Sequence, residues 1–402
     1  MMSSMVLLLV LAQVTDWTAE ERRLASTFTP VPAAPKSPTN RFADDPNAAA
    51  VGVRLFHDER LSANGKISCA HCHRVEHAFT DQKRVAVGLG TGTRNTMSLL
   101  DVAHVRQPFW DGAADSLWMQ ALEPFEAPLE HGIDRVTVLR KIVEDDPLRQ
   151  AFTKVFGPLP DVSDHSRFPA ATPRAEAPLA LREAWSGMKS DDQALVNAAY
   201  ANVGKAIEAF ERTLVAPPAP FDAFAAALAS GDDQAAAQAI SPAAQRGFRI
   251  FLAAGCRNCH SGPRFTDEGF HSNGTPPTAG QRPDPGRWLG HPKVLRSAFR
   301  ADGIHSDDRA SDQARSTAST PRQPDMVGTF RTPTLRHLEH TGPYMHDGSM
   351  GSLEEVVRHY NRLDGAMLDH HGEALLQPLG LDEASELDLV AFLRSLSGQI
   401  DR

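Results

Sequence analysis

Two short segments of the chain carry the residues best suited to chemistry. Cys69-Ala70-His71-Cys72-His73 and Cys256-Arg257-Asn258-Cys259-His260 each place a pair of cysteines directly before a histidine, and together they contain all four cysteines. This spacing is typical of c-type haem attachment, in which two thiols add to one porphyrin and the adjacent histidine binds the iron. The sequence therefore predicts two covalently bound haem c groups, with His73 and His260 as iron ligands.

Three other uses of paired cysteines fit this sequence less well. A four-cysteine zinc site places its two pairs roughly 15–20 residues apart, whereas a far longer segment separates these pairs. A thioredoxin-like redox pair needs no histidine after both motifs, and two plain disulfides would make both histidines coincidental. Haem attachment of this kind also needs an oxidising compartment, so the motifs predict an exported, periplasmic protein.

Composition excludes several classes of protein. The chain has 402 residues, of which 41% are hydrophobic, which is enough for about two or three domains with cores of their own. Its formal net charge of −9 provides no overall positive field, so we expect no nucleic-acid partner and exclude a sequence-reading DNA-binding protein.

The N-terminus contains an apolar run from Met5 to Ala12. This run is about as long as the core of a signal peptide and too short to span a bilayer, so residues 1–20 are predicted to form a signal segment. No Lys or Arg precedes the run, and a frayed N-terminal segment or a misplaced start codon is the alternative interpretation. Since no long apolar stretch follows, the sequence predicts no stable membrane span.

Repeated words around both cysteine motifs indicate a duplicated structural unit. Gly52-Val53-Arg54-Leu55-Phe56 and Gly247-Phe248-Arg249-Ile250-Phe251 precede the motifs, and Phe79-Thr80-Asp81 and Phe265-Thr266-Asp267 follow them. Matching words on both sides of both motifs predict two copies of one unit.

Hydrophobic periodicity predicts a mainly α fold. Apolar residues recur at helical spacing in 191–215 and in 385–396, and no stretch shows sustained alternation of apolar and polar residues. Two polar stretches rich in proline and glycine, 157–172 and 273–324, are expected to be long surface loops.

Further short motifs occur in both halves of the chain. They are Arg54–Ser62, Ser68–His73, Ala78–Asp81, Arg94–Thr96, Phe109–Gly112, Gln120–Pro124, Pro128–Glu130, Phe330–Pro333 and Gly342–Gly348. In this order they resemble the bacterial dihaem cytochrome c peroxidase and MauG family, from about residue 45 to the end. The resemblance implies two cytochrome c-like haem domains in tandem with long irregular loops: a peroxidatic domain at 45–165, a helical connector at 166–240 and an electron-transfer domain at 241–402.

The resemblance implies roles for residues between the two motifs. It implies that the His73 haem reacts with hydrogen peroxide, that the His260 haem is its electron partner, and that Trp110 relays electrons between them. Glu130 matches a glutamate that moves a proton from the near to the far oxygen of bound peroxide, so that the O–O bond breaks heterolytically. Without the resemblance, Trp110 would be interpreted as a core aromatic residue and Glu130 as a solvated carboxylate.

Other matched positions imply supporting roles. Gln120 matches a position in the peroxide pocket, and Arg331 matches one that serves a haem propionate or the pocket itself. The family also holds a calcium ion between the haems, which implies ligation here by the side-chain oxygen of Asn95 and the backbone carbonyls of Thr341 and Pro343. Ligation by oxygen alone suits this hard cation.

The chain departs from conventional members of the family beside the first haem. Where some of them carry a removable histidine cap on the iron, the matching residue here is Leu89, within Gly88-Leu89-Gly90-Thr91-Gly92. His77 is closer along the chain, but its place beside Ala78-Phe79 is unfavourable for a cap. The resemblance therefore implies an open peroxide-binding haem that needs no reductive activation.

A second departure concerns the other haem. Where conventional members supply a methionine ligand, the register lands on Tyr360, and MauG-type members bind iron through a tyrosine at this place. Phenolate is a harder donor than thioether and lowers the haem potential. Ser352 and Glu355 predict a capping box at the start of a helix that carries Tyr360. From its position on this helix alone, Tyr360 would be interpreted as a half-buried core tyrosine. The competing ligands are Met345, Met350 and His359, and His346 is interpreted as a propionate or hydrogen-bond partner.

These inferences lead to three hypotheses for function. The first is a periplasmic oxidoreductase that reduces hydrogen peroxide and oxidises a docked protein, modifying tryptophan or tyrosine residues in it if Tyr360 binds iron. The second is a conventional cytochrome c peroxidase that takes electrons from a small soluble cytochrome or cupredoxin. The third is a non-catalytic dihaem electron-transfer protein, which the missing ligand at Leu89 disfavours.

Overall fold

A computed structural model describes residues 16–278, 280–367 and 376–400. The apolar run of the predicted signal segment lies outside these residues. The described part is mainly helical, as predicted, with one two-stranded antiparallel sheet that pairs Phe270 with Arg331. Its helices and strands are α1 (Ala19–Ser26), α2 (Pro46–Phe56), α3 (Cys69–Cys72), α4 (Leu117–Glu126), α5 (Arg135–Glu144), α6 (Asp146–Phe156), α7 (Leu179–Gly187), α8 (Ser190–Glu211), α9 (Pro220–Ser230), α10 (Asp233–Ala239), α11 (Pro242–Ala253), β1 (Phe270–His271), α12 (Arg287–Arg296), α13 (Asp312–Ser319), β2 (Phe330–Arg331), α14 (Leu353–Arg362) and α15 (Glu383–Ser395).

The repeated glycine words form the same helix crossing in both halves. Gly52 on α2 faces α8, and a Cβ atom there would lie 2.0 Å from the carbonyl oxygen of Ala206. Gly247 on α11 faces α15, and its Cβ would lie 1.9 Å from the carbonyl oxygen of Asp388. Each helix that precedes a cysteine motif therefore touches its partner backbone to backbone, a contact that only glycine permits. The duplication seen in the sequence is a duplication of this crossing.

Each cysteine motif packs against its own hydrophobic cluster, the first through Cys69 and the second through Cys256. The first cluster joins α2, α4, α5 and α8 through aliphatic side chains around the fully buried Trp118 and Phe125. The second cluster is built largely from phenylalanines, namely Phe28, Phe221, Phe224, Phe248, Phe251, Phe265 and Phe392.

Packing crosses the predicted domain boundaries at two places. Trp17, within the predicted signal segment, is buried in the second cluster with its ring 5.3 Å from that of Phe224. Val294 and Phe299, from the predicted C-terminal domain, are buried in the first cluster. Side chains from the C-terminal half therefore pack into the first cluster, and a side chain from the N-terminus packs into the second.

The expectation of a long surface loop at 273–324 was wrong. This segment contains α12 and α13, and part of it is buried against the first half of the chain. Ala301 donates its backbone N–H to Asp115, and Lys205 pairs with Asp307 at 2.6 Å. Because these contacts are made to residues far away in the sequence, local periodicity does not reveal them. The segment 157–172 has no helix or strand, as expected, but Phe168 within it is buried.

Across the ranges that the structure describes, no helix is both long and apolar enough to cross a membrane.

Candidate haem and peroxide sites

The first cysteine motif presents its histidine in one defined orientation. Cys69 to Cys72 form the single helical turn α3, and His73 follows it directly. The Nδ1 atom of His73 lies 3.0 Å from the carbonyl oxygen of Phe79, a residue held at a positive φ of 59°. A carbonyl accepts only from an N–H, so Nδ1 carries the proton and Nε2 keeps the lone pair that a metal requires.

The second motif repeats this arrangement. Nδ1 of His260 lies 3.0 Å from the carbonyl oxygen of Phe265, which also has a positive φ, 53°. These two phenylalanines open the repeated Phe-Thr-Asp words, so the repeat marks the carbonyl that orients each histidine. The repeated Phe-Thr-Asp segments indicate duplication in the sequence, but the sequence alone does not show that they orient the histidines.

Titration of the two motifs fits haem attachment. Burial raises the pKa of Cys72 and of Cys256 to about 11, and raises that of Cys69 further. A thioredoxin-like pair requires a lowered thiol pKa, so these neutral thiols count against that alternative. Burial also lowers the pKa of both histidines, which keeps them neutral. All four cysteines lie in the described residues and none forms a disulfide, so each motif fits a thioether-bound haem with a neutral histidine ligand.

Glu130 and Leu89 meet beside the first motif. The backbone N–H of Leu89 donates to the carbonyl oxygen of Glu130 at 3.0 Å. The carboxylate of Glu130 is close enough to raise the pKa values of the Cys69 and Cys72 thiols. The side chain of Leu89 lies over Gly132, where an added Cβ would come within 2.6 Å of its methyl carbon.

Desolvation and charged neighbours shift the pKa of Glu130. Glu130 is exposed at the surface, yet the protein atoms packed around its carboxyl group raise the pKa of that group by desolvation. The positive charge of Arg174 lowers this pKa, the negative charge of Glu123 raises it, and Lys293 lowers it. Arg174 and Glu123 are themselves paired at 2.9 Å. A carboxyl group with a raised pKa is better suited than an ordinary one to accept a proton and return it.

Trp110 contacts two other predicted site residues, Asn95 and Arg331. The indole N–H donates to the carbonyl oxygen of Asn95 at 2.9 Å, and the carbonyl oxygen of Trp110 accepts from the backbone N–H of Arg331 at 2.8 Å. The guanidinium of Arg331 is buried 3.4 Å from Glu268, which also pairs with Arg264 at 2.8 Å. Burial lowers the pKa of Arg331. Glu268 is a neighbour that the sequence analysis missed.

Gln120 lies on α4, the helix that also carries Glu123. Its side chain is half-buried, and its backbone N–H bonds to Ser116, whose side chain caps the start of this helix. Since Gln120 and Glu123 are three residues apart on this helix, they lie on the same face of it.

Tyr360 lies beside the second cysteine motif. Burial is the main cause that raises its pKa, to about 12; a hydrogen bond with the side chain of Asn273 opposes the rise, and Cys256 and Cys259 add to it. The same Asn273 amide donates to the sulfur of Met345 at 3.3 Å. Two of the competing iron ligands, the tyrosine and this methionine, thus share one neighbour, which sequence reasoning did not identify.

The other competing ligands, His359 and Met350, stay predictions. His359 is buried with Nε2 2.8 Å from the carbonyl oxygen of Asn273, and Met350 pairs with Tyr344 through the backbone. The helix that carries Tyr360 begins after Ser352 as predicted, but its capping box is only half formed. The Ser352 hydroxyl accepts from Glu355 N–H, whereas the Glu355 carboxylate accepts from the N–H of Gly351.

His346 contacts Phe330 and Asn95, and Asn95 is one of the predicted calcium ligands. The ring of His346 stacks on Phe330 with centroids 3.7 Å apart, and its carbonyl oxygen accepts from the Asn95 N–H at 2.8 Å. The Asn95 side-chain amide donates to the backbone carbonyl oxygen of Lys83 at 2.9 Å. The peptide bond between Gly342 and Pro343 is cis. Calcium binding by Asn95, Thr341 and Pro343 stays a prediction.

A separate group of metal-ligating side chains lies at the second motif. Cys259, Asp267 and His271 each bring one ligand atom within 4.8 Å of the others, and His271 is 2.8 Å from Asp267. Because Cys259 belongs to the haem-attachment motif, we interpret this group as part of the second haem site.

Comparison with known proteins agrees with this geometry. Residues 46–230 match the family described as di-haem cytochrome c peroxidase. The methylamine utilization protein MauG of Methylorubrum extorquens is 32% identical over 88% of this chain and 79% of its own length. The cytochrome-c peroxidase IdrP1 of Denitromonas iodatirespirans is 32% identical over 91% of this chain and 86% of its own length.

Solved structures share the fold. A MauG-like protein associated with microbial copper homeostasis aligns with a TM-score of 0.61 and 25% identity, over 91% of this chain and 94% of its own. The diheme peroxidase BthA of Burkholderia thailandensis aligns with a TM-score of 0.62 and 22% identity, over 92% of this chain and 90% of its own. The chain therefore belongs to the di-haem cytochrome c peroxidase and MauG family, whose members carry two c-type haems.

Proposed function

We propose that the chain is a periplasmic enzyme that reduces hydrogen peroxide to water and oxidises a partner protein. The observation that carries the proposal is the pairing of Leu89 with Glu130 beside the first cysteine motif. This backbone bond places the residue whose carboxyl group is proposed to carry the proton next to the position that offers no histidine cap. Reduction of one peroxide to two waters consumes two electrons and two protons, and the partner protein supplies the electrons.

The residues of the first site divide the work of peroxide reduction. A haem bound by Cys69, Cys72 and His73 would supply the centre at which peroxide gains electrons. The carbonyl of Phe79 holds the Nδ1 proton of His73, which fixes the ring and strengthens Nε2 as a donor. The carboxylate of Glu130 accepts a proton from one peroxide oxygen and returns it to the other, which leaves as water.

Trp110 is proposed to carry electrons between the halves. Its N–H is held by Asn95 and its carbonyl by Arg331, and these bonds fix the indole between segments of both halves. We also propose that Asn95, Thr341 and Pro343 bind calcium here, since oxygen ligands suit that ion.

Tyr360 favours a protein residue as the group that is oxidised. A phenolate ligand would lower the potential of the second haem and stabilise its oxidised state, which suits removal of two electrons from tryptophan or tyrosine side chains. The second candidate is a conventional cytochrome c peroxidase that takes electrons from a small cytochrome or cupredoxin. Met345 favours it, because its sulfur shares Asn273 with Tyr360 and offers the conventional thioether ligand.

The first experiment tests peroxide reduction. The exported dihaem protein is mixed with hydrogen peroxide in a stopped-flow spectrometer, and Glu130→Gln is compared with wild type. We expect the substitution to slow the reaction on the order of a hundredfold or more. Glu144→Gln, which alters an exposed glutamate paired with Lys141, is the control and should react as wild type. Two six-coordinate low-spin haems that do not respond to peroxide would exclude both enzymatic functions.

The second experiment distinguishes the two electron sources. Tyr360→Phe is compared with wild type for its haem spectra and for turnover of a reduced small cytochrome. We expect Tyr360→Phe to change the spectrum of one haem, and we expect slow cytochrome turnover in wild type. Rapid cytochrome turnover that Tyr360→Phe leaves unchanged would favour the conventional peroxidase.

A further inference from the structure

The segment that contains Leu89 is a closed hairpin. The N–H of Ala86 donates to the carbonyl of Arg94, and the N–H of Gly92 donates to the carbonyl of Ala86, both at 2.9 Å. The N–H of Gly88 donates to the carbonyl of Gly90 at 3.0 Å. Residues 86–94, called here the 86–94 hairpin, therefore hold their own shape.

Both sides of the 86–94 hairpin are attached to the first site. At its tip, Leu89 and Gly90 donate their N–H groups to the carbonyls of Glu130 and Leu129, at 3.0 and 2.9 Å. Nearer its base, the backbone of Val87 lies within hydrogen-bond reach of the sulfur of Cys72. The hairpin thus connects a haem-attachment cysteine directly to the backbone of Glu130.

The glycines of the hairpin set how closely it approaches Glu130. A Cβ on Gly88 would lie 2.7 Å from the carbonyl oxygen of Leu129 and 2.8 Å from the Cα and carbonyl oxygen of Glu130, all backbone atoms. A Cβ on Gly90 would meet only the side chain of Leu129 closely, at 2.7 Å. A Cβ on Gly92 would come closest to the carbonyl oxygen of Ala86, at 3.3 Å. The three positions form a graded series.

We propose that the 86–94 hairpin is a fixed spacer that positions Glu130 against the first haem-attachment motif, with Gly88 as the positioning residue. The inference rests on the proposed function, because it takes Glu130 to be the group that moves the peroxide proton. Proton transfer requires the carboxylate within hydrogen-bond reach of the peroxide, and a displacement of about 1 Å costs on the order of a hundredfold in rate.

Alanine substitutions in the dihaem protein test the spacer. The second-order rate constant for reaction with peroxide is measured across a range of pH. We expect a fall on the order of a hundredfold for Gly88→Ala, with loss of the pH dependence that Glu130 confers. Gly90→Ala should fall less than about tenfold, because the Leu129 side chain can move, and Gly92→Ala should fall least, because its Cβ would approach only Ala86, at 3.3 Å. Equal rate constants for Gly88→Ala and Gly92→Ala would overturn the proposal.

A double substitution separates positioning from general damage. If Gly88 acts through Glu130, then Gly88→Ala should cost little in a Glu130→Gln background. A full further loss in that background would overturn the proposal. Should Glu130→Gln alone react as fast as wild type, the proton-transfer role fails and with it the proposed function of Glu130. A slow Glu130→Gln with a fast Gly88→Ala would instead refute only the spacer.

Hydrogen exchange tests the spacer without any substitution, so a variant that fails to fold does not decide the matter. The amide protons of Leu89 and Gly90 should be protected in both the oxidised and the reduced dihaem protein, because both are bonded to a fixed turn. Rapid exchange of either amide in one of the two redox states would show that the hairpin releases Glu130, and would overturn the proposal.

Discussion

The first and second haem-attachment sites hold their histidines alike and differ in what lies around them. In each, a phenylalanine with positive φ offers its carbonyl to histidine Nδ1 at 3.0 Å. Around the first site lie a glutamate and a hairpin with no ligating side chain at Leu89. Around the second lie Tyr360 and Met345, gathered by Asn273. The duplication thus preserves the support of the histidine, while chemistry is assigned by the segments added around it.

The two phenylalanines themselves also differ in their packing. Phe265 is fully buried and stacks on Phe28 with centroids 4.7 Å apart, within the phenylalanine cluster. Phe79 is only half-buried, at the edge of the first cluster. The same backbone device therefore sits in a tightly packed aromatic core in one half and at a cluster edge in the other.

Substitution of these phenylalanines should give the largest effect. Phe265→Ala removes a fully buried ring and should lower the free energy of unfolding by about 3–5 kcal/mol. Phe79→Ala should cost roughly half as much, since its ring is only partly buried. Urea denaturation of the dihaem protein followed by circular dichroism measures both. Equal losses would mean that the two halves support their histidines with the same packing.

Alanine substitution of the glycine at each helix crossing should lower the stability of the protein by the same amount. Gly52→Ala and Gly247→Ala each force a methyl group into a carbonyl oxygen of the partner helix, so each should destabilise the protein by about 1–3 kcal/mol or more. Gly187→Ala is the control, because a Cβ there meets nothing within 4 Å. Thermal unfolding measures all three. If one of the two crossing variants keeps wild-type stability, the crossings are not equivalent.

Features encoded locally could be predicted from the sequence. The helices at 190–211, 353–362 and 383–395 have periodic apolar faces, and the last two begin at side-chain caps, Ser352 and Asp382. The cysteine-histidine motifs are local as well, and so are the words that mark the duplication. Each of these signals lies within a few residues of the element it specifies.

Features that depend on distant contacts could not be predicted. The helices within 273–324 are stabilised by burial of Val294 and Phe299 in the first half, and nothing in their own sequence shows that partner. Asn273 is separated from Tyr360 by most of the C-terminal half, so only the fold brings them together. The environment of Glu130 likewise draws Arg174 and Lys293 from two distant segments.

The charges around Glu130 should produce the smallest effect, and they have no counterpart described at the second site. The carboxylate form must accept the peroxide proton, so the reaction should slow as pH falls through the raised pKa of Glu130. Glu123 raises this pKa, so Glu123→Gln should move the midpoint of the pH profile to lower pH. Lys293 lowers it, so Lys293→Met should move the midpoint to higher pH.

Stopped-flow measurement of the peroxide reaction between acid and neutral pH gives each midpoint. Because Lys293 is exposed, the shift in Lys293→Met should shrink as salt is added, whereas the shift in Glu123→Gln should persist in the more enclosed pair with Arg174. Lys141→Met, far from Glu130 in an exposed pair with Glu144, serves as the control for lost surface charge. Midpoints that move in the same direction in Glu123→Gln and Lys293→Met would show that a group other than Glu130 governs the pH profile. A different residue would then have to move the peroxide proton at the first site.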